Sequence, residues 1–246
     1  MKVLGVIPAR LNSQRLSKKL IKNLLGRPLI QWTWQAARQA KKIDRLVIAC
    51  DSPELAEVCE KFGAEVIITS SEHNSGTQRI TEVIKKIEAE VAINIQADEP
   101  LMSPEVIDSL AEDILSDDNI LVDTVIRKMD DESLIVDPSI VKAIIDKDSF
   151  AIYFSRAAIP FVRDKNTKTI FYKHLGIYAY RTKFLKLLEG FGPSYLEEAE
   201  KLEQLKILEN GYKIKTITTE FDTIGVDTEG DFMKVENILK GRSGGK

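Results

Sequence analysis

The sequence predicts an α/β protein with a largely parallel sheet flanked by helices. Two observations predict this class. Apolar runs of strand length alternate with helical patterns through the first half of the chain, which is typical of βαβ units. Hydrophobic residues make up 43% of the 246 positions and charged residues 30%, a composition typical of globular proteins that bury a sizeable core.

The first half of the chain supplies the parallel part of this prediction. Five strands are predicted from short apolar runs: Val3–Ile7, Leu46–Ala49, Glu65–Ile68, Val91–Ile95 and Leu121–Ile126. Four helices are predicted between them, over 29–42, 53–62, 76–90 and 104–115. Two of these have clear start signals, because Ser52-Pro53 and Ser103-Pro104 each place a serine cap before a proline at the first helical position.

After about residue 127 the pattern becomes mixed. The predicted strands are Val141–Ile145, Phe150–Phe154, Tyr172–Tyr180 and Lys213–Thr218, and the predicted helices cover 182–190, 196–209 and 228–240. The polar segment 163–169 predicts an exposed hairpin or mobile loop. We interpret the chain as one domain over 1–246, with a smaller mixed β extension at about 128–182 and a disordered tail at 241–246.

Composition argues against several classes of protein. No apolar run approaches the roughly 18 residues of a membrane-crossing helix, so no membrane partner is expected. The net charge of −3 argues against nucleic acid as a partner. The two cysteines, Cys50 and Cys59, form neither a disulfide framework nor a metal-binding spacing. With no signal peptide recognisable, a cytoplasmic location is expected.

The distribution of charge is more informative than its sum. Residues 1–43 contain ten Lys or Arg and no Asp or Glu, whereas the rest contains 25 basic and 38 acidic residues. Four of the basic residues, Arg10, Arg15, Lys18 and Lys19, fall in the loop after the first strand. This segregation favours a small, strongly anionic ligand such as a nucleoside triphosphate. The alternative is a solvated basic surface.

Carboxylates follow two later strands. In open α/β sheets, ligands bind at the carboxyl ends of the strands. Asp98 follows the strand Val91–Ile95, and Asp227 precedes the last helix. Paired carboxylates can hold Mg²⁺ against phosphate oxygens. The alternative is that Asp98 only ends a strand and Asp227 only caps a helix. Neither GxxxxGKS/T nor GxGxxG follows the first strand, which argues against a P-loop or a Rossmann nucleotide site.

Two further polar groups have two interpretations each. In the strand pattern YKHLGIYAY, alternation puts His174, Tyr178 and Tyr180 on one face, which suits sugar hydroxyls as well as packing. Glu203 and Gln204 lie in an amphipathic helical pattern, in which periodicity alone makes them exposed polar residues.

Six segments together resemble one family. They are IPARLNSQRLSKKLI, HNSGTQRI, NIQADEPL, YKHLGIYAYR, LEQLKILENGYKI and GVDTEGDF, in this order across about residues 6–232. They resemble the 3-deoxy-manno-octulosonate cytidylyltransferase family, also called the CMP-Kdo synthetases. The resemblance implies a nucleotide-diphospho-sugar-transferase-like fold and a homodimer formed through the mixed region.

The resemblance also implies a reaction. CMP would pass from CTP to 3-deoxy-D-manno-octulosonate (Kdo), giving CMP-Kdo and pyrophosphate for lipopolysaccharide biosynthesis. The anomeric hydroxyl of Kdo would attack the α-phosphorus in line, assisted by Mg²⁺. Two alternatives stay open: a cytidylyltransferase for a related acidic sugar, such as an amino-Kdo analogue or sialic acid, and a non-catalytic nucleotide-binding module.

Site residues follow where the motifs match those of the family. The catalytic set implied is Lys19, Asp98 and Asp227, of which the two aspartates would bind the metal. The CTP-binding set is Pro8, Ala9, Arg10, Arg15, Lys19, Arg79 and Gln96. The Kdo-binding set is Gln96, Arg156, His174, Tyr178, Glu203 and Gln204.

The sequence departs from the family pattern in two places. The family loop commonly has RLPGKPL, whereas this chain has RLSKKLI from Arg15 to Ile21, which changes the stiffness and permitted angles of the loop. The family commonly has QGDEP, whereas this chain has Ala97 in place of the glycine.

Overall fold

A computed structural model describes residues 1–12, 16–164 and 166–243 of the chain. Arg15, one of the predicted CTP-binding residues, lies outside the described residues, as do positions 244–246 of the predicted tail. The described part is an α/β structure built on a nine-stranded sheet, so the predicted fold class is confirmed.

The strands are β1 (Val3–Ala9), β2 (Asn23–Leu24), β3 (Arg27–Pro28), β4 (Arg45–Cys50), β5 (Glu65–Ile68), β6 (Val91–Asn94), β7 (Val122–Met129), β8 (Lys142–Ile145), β9 (Ala151–Ser155), β10 (Phe171–Arg181) and β11 (Lys215–Thr218). The helices are α1 (Leu29–Ala37), α2 (Pro53–Lys61), α3 (Gly76–Lys86), α4 (Pro104–Ser116), α5 (Glu132–Val136), α6 (Thr182–Leu188), α7 (Tyr195–Glu200), α8 (Gln204–Glu209) and α9 (Glu229–Ser243). A short 3₁₀ helix covers Lys19–Ile21.

The main sheet has the strand order β11-β7-β10-β6-β1-β4-β5, and the small β2–β3 hairpin lies apart from it. β1 pairs in parallel with both β4 and β6, and β4 pairs in parallel with β5. β10 runs antiparallel between β6 and β7. β8 pairs with β10 and with β9, so these two strands branch from the sheet. The longest strand of the predicted mixed extension is therefore part of the main sheet.

Both faces of the sheet are covered by helices, which explains why the central strands are nearly all apolar. Alternate residues of one strand point to opposite faces. In β1, Val3 and Ile7 pack in the apolar layer that contains α1, α2, α4 and α9. Leu4 and Val6 pack in the opposite layer, with α3, α6 and α8.

The helix starts predicted from serine and proline are present. The Ser52 hydroxyl accepts a hydrogen bond from the Leu55 backbone N–H at 3.3 Å, and the Ser103 hydroxyl accepts one from Val106 N–H at 3.4 Å. Each cap is followed by a proline in the first turn. These local signals fix helix starts because the orphan N–H groups of the first turn need acceptors.

Helix ends differ more from the prediction than helix starts. The predicted helix 29–42 ends at Ala37. The predicted helix 76–90 ends at Lys86, because the next residue, Ile87, is extended. The predicted helix 196–209 is two helices, because Lys201 adopts a left-handed conformation with φ of +53°. The last helix runs to Ser243 without a proline to stop it, so positions 241–243 of the predicted tail are helical.

No helix within the described ranges combines the length and the apolar character that crossing a bilayer requires.

Candidate active site

Two cavities adjoin at the carboxyl ends of β1 and β6. The smaller cavity, of about 300 Å³, is lined by Pro8, Ala9, Arg10, Lys19, Leu20, His73, Asn74, Ser75, Gly76, Arg79, Gln96, Ala97, Asp98 and Asp227. The larger cavity, of about 870 Å³, extends over β10 and the loops that follow α5 and precede α8. Three residues, Gln96, Asp98 and Asp227, line both cavities. The boundary between the cavities is therefore formed by carboxylates and an amide.

Asp98 and Asp227 converge on the side chain of Lys19. The Lys19 ammonium donates to Asp98 Oδ2 at 2.5 Å and to Asp227 Oδ1 at 2.8 Å. A third bond goes to the Val226 carbonyl at 2.9 Å. Burial lowers the pKa of Lys19, but the charges of Asp98 and Asp227 outweigh it, so the pKa is raised overall and the lysine is charged.

A backbone contact holds the two aspartates together. The Val226 N–H donates to the Asp98 carbonyl at 2.9 Å, which ties the loop before α9 to the loop after β6. Thr228 and Asp231 cap α9 reciprocally: Asp231 N–H donates to the Thr228 hydroxyl at 3.1 Å, and Thr228 N–H donates to Asp231 Oδ2 at 2.9 Å. The helix cap that we considered for Asp227 is thus made by Thr228, and the Asp227 carboxylate contacts Lys19.

The two adjacent lysines of the basic loop have different surroundings. Lys18 is half exposed and forms an ion pair with Glu54 at 2.6 Å. Lys18 therefore fits the alternative interpretation, that of a solvated basic surface. Lys19 begins the 3₁₀ helix, and only 12% of its side chain is exposed. Lys18 has φ of +51°, a left-handed conformation at the position where the family loop commonly has glycine. The departure in sequence is therefore accommodated without moving Lys19 away from the cavity.

The amino end of α3 forms the far wall of the smaller cavity. Ser75 caps this eleven-residue helix by accepting from Gln78 N–H at 3.2 Å. A Cβ on Gly76 would lie 3.2 Å from the Pro8 ring, so the glycine permits a close approach between the helix and the end of β1. His73 lies beside Glu82 at 2.8 Å. The positive end of a helix at a cavity favours an anionic ligand.

Arg79 lines the same cavity but is anchored in the protein. Its Nη1 donates to the Thr69 hydroxyl at 2.5 Å and to the Ser70 carbonyl at 3.0 Å. Burial lowers its pKa. These two bonds fix one edge of its guanidinium to the end of β5, beside the cavity.

His174 is a partly buried, neutral histidine on the wall of the larger cavity. Burial lowers its pKa to about 3. Its Nε2 lies 3.0 Å from the Thr124 hydroxyl, which itself donates to the Ile177 carbonyl at 2.8 Å. Because the Thr124 proton is already used, we assign the proton of the imidazole to Nε2. This tautomer leaves Nδ1 as an acceptor.

The aromatic side chains of β10 lie on one face of the strand, as the alternation of the sequence predicts. His174, Tyr178 and Tyr180 all line the larger cavity. The rings of His174 and Tyr178 are 5.3 Å apart, and those of Tyr178 and Tyr180 stack at 5.6 Å. Leu175 and Ile177 pack in the opposite apolar layer.

Glu203 and Gln204 are not exposed, so the interpretation from helical periodicity alone is wrong for this pair. The break at Lys201 turns both residues into the larger cavity, and Gln204 is buried. The Glu203 carboxylate accepts from the Ser75 hydroxyl at 2.7 Å and from the Thr77 hydroxyl at 3.0 Å. Burial raises its pKa. Glu203 therefore joins the wall of the larger cavity to the cap of α3.

Arg156 lies on the same cavity wall, immediately after β9. Its Nε donates to the Glu200 carbonyl at 2.9 Å and its Nη1 to the Pro138 carbonyl at 3.0 Å. Its backbone N–H donates to Glu200 Oε2 at 2.9 Å. The side chain is thus oriented by backbone groups from two other segments.

Sequence reasoning missed several residues that line the cavities. Asn94 precedes Gln96 and Asp98 with the period of two that puts strand residues on one face, a signal that was available. Glu99 is buried, and burial followed by the charge of Asp98 raises its pKa to about 8. Thr124 of β7 lines neither cavity but contacts the His174 imidazole, and no local pattern in the sequence distinguishes it.

Known proteins resemble this chain in both sequence and structure. A family model described as cytidylyltransferase matches residues 4–217. A 3-deoxy-manno-octulosonate cytidylyltransferase from Pelodictyon phaeoclathratiforme is 44% identical over 242 residues, which is 98% of each chain. The protein of the same name from Chlorobium limicola is 42% identical over 248 residues, and the match covers 100% of both chains.

Solved structures agree with these matches. The structure of a CMP:2-keto-3-deoxy-manno-octonic acid synthetase complexed with CTP superposes with a TM-score of 0.94 at 34% identity, covering 98% of this chain and 100% of that one. The inositol-1-phosphate CTP transferase from T. maritima has a TM-score of 0.68 at 16% identity, with coverage of 96% and 94%, and shares the fold.

The chain is therefore a nucleotidyltransferase of the cytidylyltransferase family. Full-length relatives at up to 44% identity place it, within that family, among the 3-deoxy-manno-octulosonate cytidylyltransferases. The resemblance drawn from the six sequence segments is confirmed.

Proposed function

We propose that this chain transfers CMP from CTP to Kdo, giving CMP-Kdo and pyrophosphate. The observation that carries the proposal is the shared boundary of the two cavities. Gln96, Asp98 and Asp227 lie where a nucleotide in one cavity would meet a sugar in the other. The relatives that match this chain along its whole length carry the name of that activity.

CTP is assigned to the smaller cavity because its lining is the more cationic. Arg10, Lys19 and Arg79 line it together with the amino end of α3. A triphosphate carries about four negative charges, and cations on several sides offset their mutual repulsion. Lys19 already contacts both aspartates, so its ammonium is held at the boundary at which the α-phosphorus would lie. Pro8 and Ala9 would shape the nucleotide pocket through their backbone.

Mg²⁺ fits the donor set at the boundary. The carboxylates of Asp98 and Asp227 face one cation, Lys19, and both present the oxygen ligands that Mg²⁺ prefers. These two residues would hold the ion, and phosphate oxygens and water would complete its shell. Bound there, Mg²⁺ supplies positive charge to the triphosphate and to the attacking oxygen.

Kdo is assigned to the larger cavity. Its lining offers acceptors and donors for hydroxyl groups from His174, Tyr178, Glu203 and Gln204, and a guanidinium from Arg156 for the sugar carboxylate. A neutral imidazole is suited to this task, because it binds hydroxyl groups without adding a charge. The anomeric hydroxyl would attack the α-phosphorus in line, and the protein's contribution is position and charge stabilisation.

We further propose that the enzyme is a homodimer formed through the region 128–182. Four large apolar side chains in the described part of this region are exposed: Val136 at 70%, Ile152 at 59%, Phe161 at 87% and Ile170 at 56%. Large apolar side chains that are exposed in one protomer gain stability when an interface buries them. We also place the enzyme in the cytoplasm, in lipopolysaccharide biosynthesis. Cys50 and Cys59, buried and free, fit a reducing compartment.

Pyrophosphate release on mixing the protein with CTP, Mg²⁺ and Kdo tests the function. We expect turnover that depends on all three components, and little turnover when UTP, ATP or GTP replaces CTP. An amino-Kdo analogue and sialic acid, tested in parallel, identify the acceptor. Faster turnover with either sugar would replace Kdo in the proposal, and no release with any of the three would favour a non-catalytic module.

A further inference from the structure

Lys142 is a lysine whose side chain is entirely buried, at 0% exposure. Its ammonium donates to three backbone carbonyls: Asp137 at 2.8 Å, Ile140 at 2.6 Å and Arg156 at 2.5 Å. No carboxylate in the described part of the chain lies within ion-pair distance of it. A buried charge is costly unless its donors are all used, and here all three are used.

The three carbonyls belong to two segments that line the larger cavity. Asp137 and Ile140 lie in the loop between α5 and β8, and Arg156 follows β9. The side chain of Arg156 reaches back to the same loop through its bond to the Pro138 carbonyl. Lys142 therefore connects the 137–140 loop to the backbone of Arg156, the two parts of the cavity wall that orient and carry the Arg156 side chain.

The electrostatic surroundings of Lys142 contain carboxylates as well as cations. Burial lowers the pKa of Lys142, and the charges of Asp137 and Glu200 act in the opposite direction. The described residues form no ion pair with Lys142, so its three hydrogen bonds to backbone carbonyls fix the position of the ammonium.

We propose that Lys142 is a positioning residue for the acidic sugar: it holds the 137–140 loop and Arg156 in the geometry that receives the sugar carboxylate. This inference rests on the proposed function, because it assigns the carboxylate to this cavity. A residue that only stabilised the fold would affect the amount of active enzyme and would leave the affinity for each substrate unchanged.

The test is a separation of Michaelis constants. Lys142→Met keeps the length and apolar stem of the side chain and removes its charge and donors. We expect KM for Kdo to rise about tenfold or more, since misplaced binding groups weaken substrate positioning. KM for CTP should stay within about twofold, because the smaller cavity contains none of the three carbonyls. Lys142→Arg, which keeps the charge, should restore part of the loss.

Lys215→Met is a matched control. Lys215 also donates to a backbone carbonyl, that of Asp148 at 2.7 Å, and lines neither cavity. We expect both Michaelis constants of this variant to match the wild type. Hydrogen–deuterium exchange gives a readout that needs no turnover: amides of residues 137–141 should exchange faster in Lys142→Met, and those at the start of α3 should not.

The outcomes separate the two proposals. If the wild-type protein releases no pyrophosphate with any acidic sugar, the proposed function is overturned. Hydrogen–deuterium exchange of residues 137–141 still tests whether Lys142 holds this part of the cavity wall. A wild-type enzyme with normal Kdo turnover and a Lys142→Met variant with unchanged KM for Kdo overturns the positioning role alone. If Lys142→Met does not fold, Lys142→Gln takes its place. Loss of folding in both variants also overturns the role, since the lysine would then serve the fold as a whole.

Discussion

Asp98 and Asp227 both form an ion pair with the ammonium of Lys19, and this shared contact identifies them as one group. Each aspartate alone has an ordinary explanation as a strand end or a helix flank. Together they form a pair of carboxylates directed at one cation, and the bond from Val226 N–H to the Asp98 carbonyl fixes their separation. Such a pair is suited to a divalent ion facing a triphosphate.

Asp98→Asn tests this pair. The amide keeps the size of the side chain but loses the charge, so we expect turnover to fall by about two orders of magnitude or more, in line with the loss of a central electrostatic group. The folded state should persist, with a melting temperature near that of the wild type. Asp118→Asn, at an exposed carboxylate remote from both cavities, is the control. Near-normal turnover of Asp98→Asn would reject its metal-binding role.

Lys18 carries a second prediction at the scale of one residue. Its φ of +51° is unfavourable for a residue with a Cβ, by about 1 kcal/mol. Lys18→Gly and Lys18→Ala both lose the exposed ion pair with Glu54 and differ only in the Cβ. We expect the glycine variant to have the higher free energy of unfolding, by roughly 1 kcal/mol, which is the reverse of the order found at right-handed positions. Chemical denaturation of the two variants measures it, and equal stabilities would contradict the strained geometry.

At the scale of elements, β10 explains how the two cavities are joined. It enters the sheet antiparallel to β6, with Tyr178 opposite Asn94. This register puts the aromatic face of β10 beside the carboxyl end of β6, where Gln96 bonds to the Gly176 carbonyl at 3.0 Å. The proposed sugar site and the proposed metal site thus lie side by side because an antiparallel strand is inserted beside a parallel one.

The contact between α4 and β7 contains a buried acid whose ionisation should affect stability. Asp123 of β7 is fully buried; burial first, and then the charge of Asp113 on α4, raise its pKa well above 3.8. A carboxyl whose pKa is higher in the folded state favours folding while it is protonated. Its contribution is complete below about pH 3.8, the unfolded value, and is lost as the pH rises towards the folded pKa.

Asp123→Asn removes this ionisation. We expect the stability of the variant relative to the wild type to improve as the pH is raised from about 5 to 9, since only the wild type must bury a group that tends to ionise. Urea denaturation at a series of pH values gives the comparison. A difference between the two proteins that does not change with pH would show that Asp123 does not titrate in this range.

For the whole molecule, the exposed apolar side chains of the region 128–182 predict self-association. Phe161→Glu should shift the protein from dimer to monomer in light scattering, because an interface that buries this side chain would then have to bury a charge. Tyr195→Glu is the control, as Tyr195 is 75% exposed but lies outside the region. A wild-type monomer at micromolar concentration, or a Phe161→Glu variant that stays dimeric, would contradict an interface in this region.

Much of the whole architecture is predictable from local patterns, with instructive exceptions. The serine–proline starts of α2 and α4 were predicted, because capping is decided within a few residues. The break at Lys201 was not, because a lysine gives no signal of a left-handed conformation. That break turned Glu203 and Gln204 from expected surface residues into the wall of a cavity.

The sequence by itself determined the α/β class, the basic loop after the first strand and the family, since these depend on composition, periodicity and short motifs. Only the tertiary structure decided which residues meet. Strand order and loop packing bring Lys19, Asp98 and Asp227 together, and they also let Lys142 join two parts of one cavity wall. Periodicity reports which face of an element is buried, whereas contacts between distant segments are selected by the packing of the whole chain.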